Sequence, residues 1–514
     1  KAWRPNRCRI DAGQNPRSGM DENIWSLWSN VPGGDEDFGT EEEHDRLPEK
    51  LVSTAAETLT EVLDVLGDGH AAPGVPCIEF APVGLRPTRV DTRPRWSNMQ
   101  SSMPCFRIEH VAAPIVEETF IANGLRPTVG PDWVVLWSGP RTKESLYRGL
   151  GEFQKLNHFP GSMELTRKDR LWVHFSRMAR RVGREHFDFV PRTFVLPAQV
   201  EAFRQHFASK DQIWIVKPNA SSQGRGIFLL RDLSQLKLHE TSVVSQYVGN
   251  PLLIQGLKFD LRIYVVVTSF DPLRAYVYRE GLTRFASRPY STDEEHLRDR
   301  YRHLTNYSIN RKARNFRENQ RLQEDNYGHK WSLSALNRHL KHVGVDVKLM
   351  WGRIMDLLVK TLLSVENVIA ARARELAGRS PNCFEVYGFD VLVDDALKPW
   401  LLEVNLSPSM KADSPLDRQI KSSLLSDAFN LVGVRQVRPG MLTVSRLRAQ
   451  LAQLQSAQSA LAAGPEQASA MAADLPTREP EAGAEEGEPE APEDGDGEGG
   501  EPEEAGGEEE QEAE

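Results

Sequence analysis

Glu403 and Asn405 stand two apart in the run KPWLLEVNLSPSM, residues 398–410. Residues i and i+2 of a strand project to the same side. A carboxylate and an amide oxygen would therefore share one face at the end of an otherwise apolar segment. Asp390 lies in a second strand-like run, YGFDVLVD, between Phe389 and Val391. Together Asp390, Glu403 and Asn405 would offer the hard oxygen ligands that Mg²⁺ carrying nucleotide phosphates prefers. A buried acid pair satisfied by hydrogen bonds is the plainer alternative. Asp394, at the turn, reads as structural.

Three further stretches carry chemistry. In IVKPNASSQGRGIF (215–228) a strand delivers Lys217 to a Ser- and Gly-rich loop. Small residues let backbone N–H groups approach phosphate oxygens, and the lysine adds a point charge. No GK[ST] is present and a strand follows, so this is not a Walker A loop; an ordinary glycine hairpin would look the same. In KFDLRIYVVV (258–267), Lys258, Asp260 and Arg262 alternate at the head of a strand and share one face. They suit a nucleotide, with Lys258 and Asp260 toward base or ribose and Arg262 near phosphate, or else a surface ladder of ion pairs. Arg284, in GLTRFAS, reads as part of a short strand, and HLTNYSIN (303–310) is densely polar. Arg284 can grip a carboxylate, and the run can orient phosphate or an amino acid or cap its own backbone. Lys330, in GHKW, is a further cation for a carboxylate.

The elements that must position these residues alternate in type. Strands are expected at 134–137, 213–218, 226–230, 242–248, 260–269, 274–280, 386–394 and 399–405. The stretch 167–187 has helical spacing, with Leu171, Phe175, Met178 and Val182 on one stripe and Arg170, Arg177, Arg181 and Arg184 on another. A long helix pair is expected at about 330–376. This mixture is an α+β pattern. Residues 1–115 are rich in Pro, Gly and charge and read as a mostly flexible extension with one helical patch at 51–66; order is expected to begin near 119. Residues 435–478 read as a helix or linker, and 479–514 as an acidic disordered tail.

The 514 residues suffice for two or three cored domains. No run approaches the roughly 18 apolar residues of a membrane helix. The chain opens on Lys1, not Met, so a missing leader decides little. Cys8, Cys77, Cys105 and Cys383 lack CxxC spacing, which points to reduced thiols in a cytosolic setting. Residues 479–514 hold 18 acids and no bases; removing them from the net −10 leaves +8 on residues 1–478. A basic body suits an acidic partner, whether nucleic acid, membrane or peptide. The tail itself resembles an acidic substrate peptide in composition, and its deletion is expected to raise activity if it competes for a basic groove.

The lysine loop, KFDLR, HLTNYS and the Asp…Glu-x-Asn set, in this order, resemble the ATP-grasp ligases, in particular the tubulin–tyrosine ligase-like family. The match covers about residues 119–433, and KLNHFPGS, RKDRLW, GHKW and KPWLLEVNLSPS with SPLD look like its polyglutamylase branch. The resemblance implies an N-terminal α/β domain at 116–205, a central ATP-grasp domain at 206–256 and a C-terminal one at 257–434. It places Lys217, Gln223 and Gly224 at the phosphates of ATP. Ser245, Gln246, Tyr247 and Val248 fall at the adenine strand, and Lys258, Asp260, Thr305 and Asn306 at further ATP contacts. Asp390, Glu403 and Asn405 become Mg²⁺ ligands, and Arg284, Tyr307, Ser308 and Lys330 the pocket for free glutamate. Lys217, Arg262, Arg284 and Glu403 would carry the catalysis.

The implied activity is ATP-dependent addition of glutamate to glutamate side chains in acidic tubulin tails, through an acyl phosphate. The implied partners are microtubules, with neither nucleic acid nor membrane, and the implied location is the cytoplasm and cytoskeleton, cilium or basal body included. Gln223 and Leu406 would face the protein acceptor. The Gln223 position is commonly Arg in chain-initiating members and Gln in elongating ones, whereas Leu406 resembles an initiator, so the two signals oppose each other. The rival readings are a glycine ligase of the same fold and a non-catalytic microtubule-binding protein. A kinase-like enzyme lacks its HRD and DFG stretches.

Overall fold

The computed structural model describes residues 25–29, 75–84, 103–207, 212–218, 226–320, 324–378 and 382–462, the first of these by backbone alone. The helical patch at 51–66, Gln223, Gly224, Cys8 and the acidic tail lie outside the described residues. Strand β1 (Trp25–Ser29) is the edge of the third of three sheets.

The first sheet is parallel and contains β2 (Cys105–Glu109), β3 (Arg126–Pro127), β4 (Val135–Ser138) and β5 (Lys155–Leu156), ordered β3-β2-β4-β5. The Pro114–Ala122 helix crosses from β2 to β3, with Pro at its first turn, where no N–H is missed. It buries Ile115, Val116, Thr119 and Phe120. The fold thus begins upstream of residue 119. It begins earlier still at 75–84, an extended strap that donates from Ile78 N to the Val434 carbonyl at 2.8 Å and exchanges two 2.8 Å bonds between the Phe80 backbone and the Asn430 amide. Three buried positions, Ile78, Phe80 and Val83, are too short a pattern to stand out in the sequence.

The second sheet is antiparallel: β6 (Thr193–Leu196), β7 (Trp214–Pro218), β8 (Phe228–Leu230) and β9 (Ser242–Gln246), ordered β6-β9-β7-β8. Its own small core is Phe194, Phe203, Trp214, Leu230 and Val244.

The third sheet has seven strands: β1, β10 (Leu253–Ile254), β11 (Leu257–Phe270), β12 (Leu273–Phe285), β13 (Lys330–Ser332), β14 (Glu385–Val393) and β15 (Pro399–Asn405). Its path runs β1-β12-β11-β14-β15, with β10 on β11 and β13 on β12. Strand β12 is longer than expected, so Arg284 sits on the same strand as residues 274–280 and not on a short one of its own. The expected helix pair is instead β13 followed by helices Leu333–His342, Val347–Leu363 and Glu366–Ala377. Gly344, at φ 83°, turns the chain between the first two helices.

Both faces of β11 are covered, and its period-2 alternation sorts residues between them. Phe259, Leu261, Ile263, Val265 and Val267 join the core beneath those three helices. Tyr264 and Val266 join the opposite core, against the Pro415–Val432 helix and the aromatic group Phe80, Phe106, Phe120 and Phe429. Lys258, Asp260 and Arg262 continue that even-numbered face, which changes from apolar to charged beyond Tyr264.

Candidate active site

The even face of the third sheet carries charges that strand register places side by side. Asp260 of β11 pairs with Arg284 of β12, and Arg284 with Lys330 of β13. On the other flank, Arg262 of β11 pairs with Asp390 of β14, and Asp390 with Glu403 of β15. Asn405 lies opposite Gly388, so Glu403 and Asn405 do share a face. Register slips next to Glu403: Asp390 faces Glu403 but Val391 faces Leu401, which leaves Leu402 as the extra residue of a bulge. The bulge has a packing reason. Leu401 and Val404 are three apart, which a regular strand would point to opposite sides, yet both join the same core.

The ion pairs follow the register. Arg284 donates to Asp260 from Nε at 2.8 Å and from Nη2 at 2.5 Å, and its Nη2 also lies 2.9 Å from Asp390. Arg262 holds Asp390 from Nε at 2.6 Å and from Nη2 at 3.1 Å. Burial pushes the Asp390 carboxyl up, but the fields of Arg262 and Arg284 outweigh it and hold that carboxyl well below the usual range. The close approach is possible because residue 388 is Gly: a Cβ there would meet Pro408 at 2.9 Å and Arg262 Cδ at 3.1 Å.

A cleft opens between this face and the second sheet. It is lined by Lys217, Ser245, Gln246, Tyr247, Val248, Lys258, Asp260, Thr305, Asn306, Asp390 and Glu403, with an apolar wall that includes Ile215, Val243, Leu392 and Leu401. Lys217 reaches from β7 across to the Leu402 carbonyl at 3.5 Å. Burial lowers its ammonium to about 8, partly offset by Glu403. Burial lowers Lys258 further, to about 7, against the pull of Asp260. Lys258 donates to the Tyr247 hydroxyl at 2.9 Å, which in turn bonds His303 Nδ1 at 3.0 Å. Burial drops His303 to about 4 and keeps it neutral, so its Nε2–H donates to the His296 carbonyl at 3.0 Å.

Arg262 and Arg284 lie behind Asp390, not on the cleft wall; Lys330 is opposite Arg284 on the neighbouring strand, with its ammonium over the Tyr307 ring, and Ser308 follows Tyr307 in the short Tyr307–Asn310 helix. Leu406 is half-buried against the sheet core. The expected apolar stripe on the Lys168–Val182 helix holds at Leu171, Phe175 and Met178 but not at Val182, which is exposed near the helix end. Asp394 caps its turn, accepting from Ala396 N, Lys398 N and Trp400 Nε1, as a structural acid would.

Three participants escape the sequence reading. Lys168, at the first turn of its helix, pairs with Glu403 at 2.9 Å. His303 anchors Tyr247. Asp417 holds Lys330 Nζ at 2.5 Å and lies 3.0 Å from Lys421. RKDRLW and SPLD contain Lys168 and Asp417, but Glu403 and Lys330, the partners that tie them to the site, are far away in sequence, and Ser414-x-x-Asp417 reads simply as a helix start.

The donor set suits a divalent cation. Lys168 takes Oε2 of Glu403, and Asn405 is anchored through its Nδ2–H to the Gly388 carbonyl at 3.0 Å, which leaves Oε1 of Glu403 and Oδ1 of Asn405 open among the described residues. No three His, Cys, Asp or Glu side chains converge among those residues, so protein alone would not cage a metal; oxygens from a ligand would have to complete it. On the cleft lining Lys168, Lys217 and Lys258 match Asp260, Asp390 and Glu403 in number, and Arg262 and Arg284, paired with Asp390 and Asp260 behind the wall, bring the cations into excess. Positive charge beside an open Glu403 carboxylate oxygen and the Asn405 amide oxygen, with both Asp390 oxygens held by arginine, suits a polyphosphate bound with its metal.

Residues 145–441 match the tubulin-tyrosine ligase family, and the chain belongs to that family. It is 44% identical over 330 residues to tubulin polyglutamylase TTLL5 of Homo sapiens, covering 64% of this chain and 26% of that protein. It is 42% identical over 352 residues to tubulin monoglutamylase TTLL4 of Homo sapiens, covering 68% of this chain and 29% of that one. With tubulin polyglutamylase ttll-5 of Caenorhabditis elegans it shares 45% identity over 318 residues, 59% of this chain and 43% of the relative. The chain thus spans well under half the length of these relatives.

Proposed function

We propose that this chain is an ATP-dependent ligase of the ATP-grasp kind that joins free glutamate to glutamate side chains in acidic tubulin tails, with Mg²⁺ as its metal. The observation that carries the reading is the Asp390–Glu403 pair, with Asn405 beside it, at a cleft lined by Lys168, Lys217 and Lys258 and backed by Arg262 and Arg284. The names and identities of the relatives support the substrate. The second and third sheets would clamp the nucleotide between them.

Asp390, Glu403 and Asn405 would hold the metal, with Arg262 and Arg284 keeping Asp390 ionised. Lys217 and Lys258 would meet phosphates and base, and Gln246 to Val248 would edge the adenine. When bound, ATP supplies activation: its γ-phosphoryl group passes to the acceptor carboxylate, ADP leaves, and the acyl phosphate becomes open to an amine. Arg284, Tyr307, Ser308 and Lys330 would orient the incoming glutamate. Its amine bonds to the activated carbonyl carbon, phosphate departs with the broken C–O bond, and the amine loses a proton. Preorganised cations stabilise the charge that develops, and no side-chain nucleophile is needed. The exposed arginines of the Lys168–Val182 helix, among them Arg170, Arg177 and Arg181, would attract the acidic tail.

Glu403→Gln tests the assignment. The Glu403 side chain is 27% exposed and its pair with Lys168 is screened by solvent, so melting should barely move. ADP formation that requires both glutamate and tubulin should fall by about 10²-fold or more. A folded, fully active Glu403→Gln protein would remove Glu403 from the machinery.

A further inference from the structure

Beyond Arg284 the charged ladder does not end at Lys330. The Lys330 ammonium sits 3.9 Å from the centroid of the Tyr307 ring and 2.5 Å from Asp417 Oδ2. Asp417 is in the first turn of the Pro415–Val432 helix, buried, and accepts from the Ser414 hydroxyl at 2.9 Å. Its other oxygen faces Lys421 at 3.0 Å. Lys330 and Lys421 are themselves buried. Two ammonium groups therefore share one carboxylate, so the Lys330–Asp417–Lys421 trio holds one positive charge more than it neutralises, with Glu318 beyond it on the Tyr307 hydroxyl at 3.0 Å. By contrast, Arg262 and Arg284 are balanced by Asp260 and Asp390.

Tyr264, on the same even face of β11, is fully buried, and its hydroxyl has no hydrogen-bond partner among the described residues. It lies in the fields of Arg262, Asp417, Lys330 and Arg284, and burial raises it to about 12. A buried hydroxyl without a partner is costly to keep. Phe would fill the same space without that cost.

We propose that Asp417 positions Lys330 to receive the side-chain carboxylate of the incoming amino acid, and that the Tyr264 hydroxyl is a further donor to that amino acid. The inference rests on the glutamate-ligase reading and deepens it. One surplus charge matches one extra carboxylate, which glutamate has and glycine lacks. Glycine would leave the buried cation unmatched, so the cluster selects by leaving a cost on the wrong donor.

The experiment is steady-state kinetics on tubulin with ATP and varied glutamate, for the full chain and for Tyr264→Phe, Asp417→Asn, Lys330→Met and the Asp417→Asn/Lys330→Met double variant. Tyr264→Phe and Asp417→Asn should each raise KM for glutamate by roughly tenfold while KM for ATP stays in place. Asp417→Asn should add no further defect in the Lys330→Met background, because it acts through Lys330. A structural role alone would lower melting without this split in KM. Tyr264→Phe deletes only an unpartnered hydroxyl, so it stays informative should Asp417→Asn fail to fold. Unchanged glutamate KM in folded Tyr264→Phe and Asp417→Asn, with an active parent, would overturn the inference and leave the ligase reading standing. A parent that incorporates no glutamate would sink both.

Discussion

Lys217 and Lys258 are the residues at which burial and function pull hardest against each other. Burial holds Lys217 at about 8 and Lys258 at about 7, so in the free protein both lose charge as pH rises through that range. Bound phosphates would favour the ammonium forms, so nucleotide binding should take up protons near pH 8 and weaken as pH rises further. Calorimetric titration with a non-hydrolysable nucleotide, in buffers of differing ionisation heat, reads that uptake directly. Proton release, or none, would mean the phosphates do not meet these lysines. The sequence made these lysines legible because each heads or ends a strand with a strict alternation. It hid Lys168, His303 and Asp417, whose meaning comes from partners that only the fold supplies.

Among the elements, alternation along β11 was readable, since charges at every second position that give way to an apolar run mark a strand whose one face passes from a polar site into the core. The Glu403–Asn405 geometry was readable for the same reason. The bulge at Leu402 was not, because a slip in register is a property of two strands and only one is in view. Strand β13, three residues long, gives no periodicity at all. A buried staple was also invisible: Glu385 at the start of β14 accepts from the Tyr387 hydroxyl at 2.8 Å and Phe159 N at 3.1 Å, contacts His158 Nδ1 at 2.6 Å, and accepts from the Ser162 hydroxyl. It ties the loop after β5 and the start of the Met163–Thr166 helix to the third sheet, next to the helix that carries Lys168. Glu385→Ala would leave several buried polar groups unpaired and should cost ~3–5 kcal/mol in urea unfolding, in contrast to the near-neutral Glu403→Gln. A loss below ~1 kcal/mol would show that the staple is not structural.

For the molecule as a whole, composition separated a basic body of +8 from an acidic end, and the motif order pointed to a family that the match over residues 145–441 bears out. If the basic body draws in an acidic tail, KM for tubulin should rise steeply with salt, as screening shortens the reach of exposed charges to about 8 Å at physiological strength. KM for glutamate, held by buried groups, should respond much less. A salt-independent tubulin KM would argue that the body's charge serves something else. Glutamate ligation itself is read most directly by mass spectrometry of tubulin incubated with the protein, ATP, Mg²⁺ and glutamate, with Glu403→Gln as control. The expected result is glutamate added through isopeptide bonds to glutamates of the tubulin tails, and none with the variant. Glycine in place of glutamate, or unmodified tails with the folded parent protein, would contradict it.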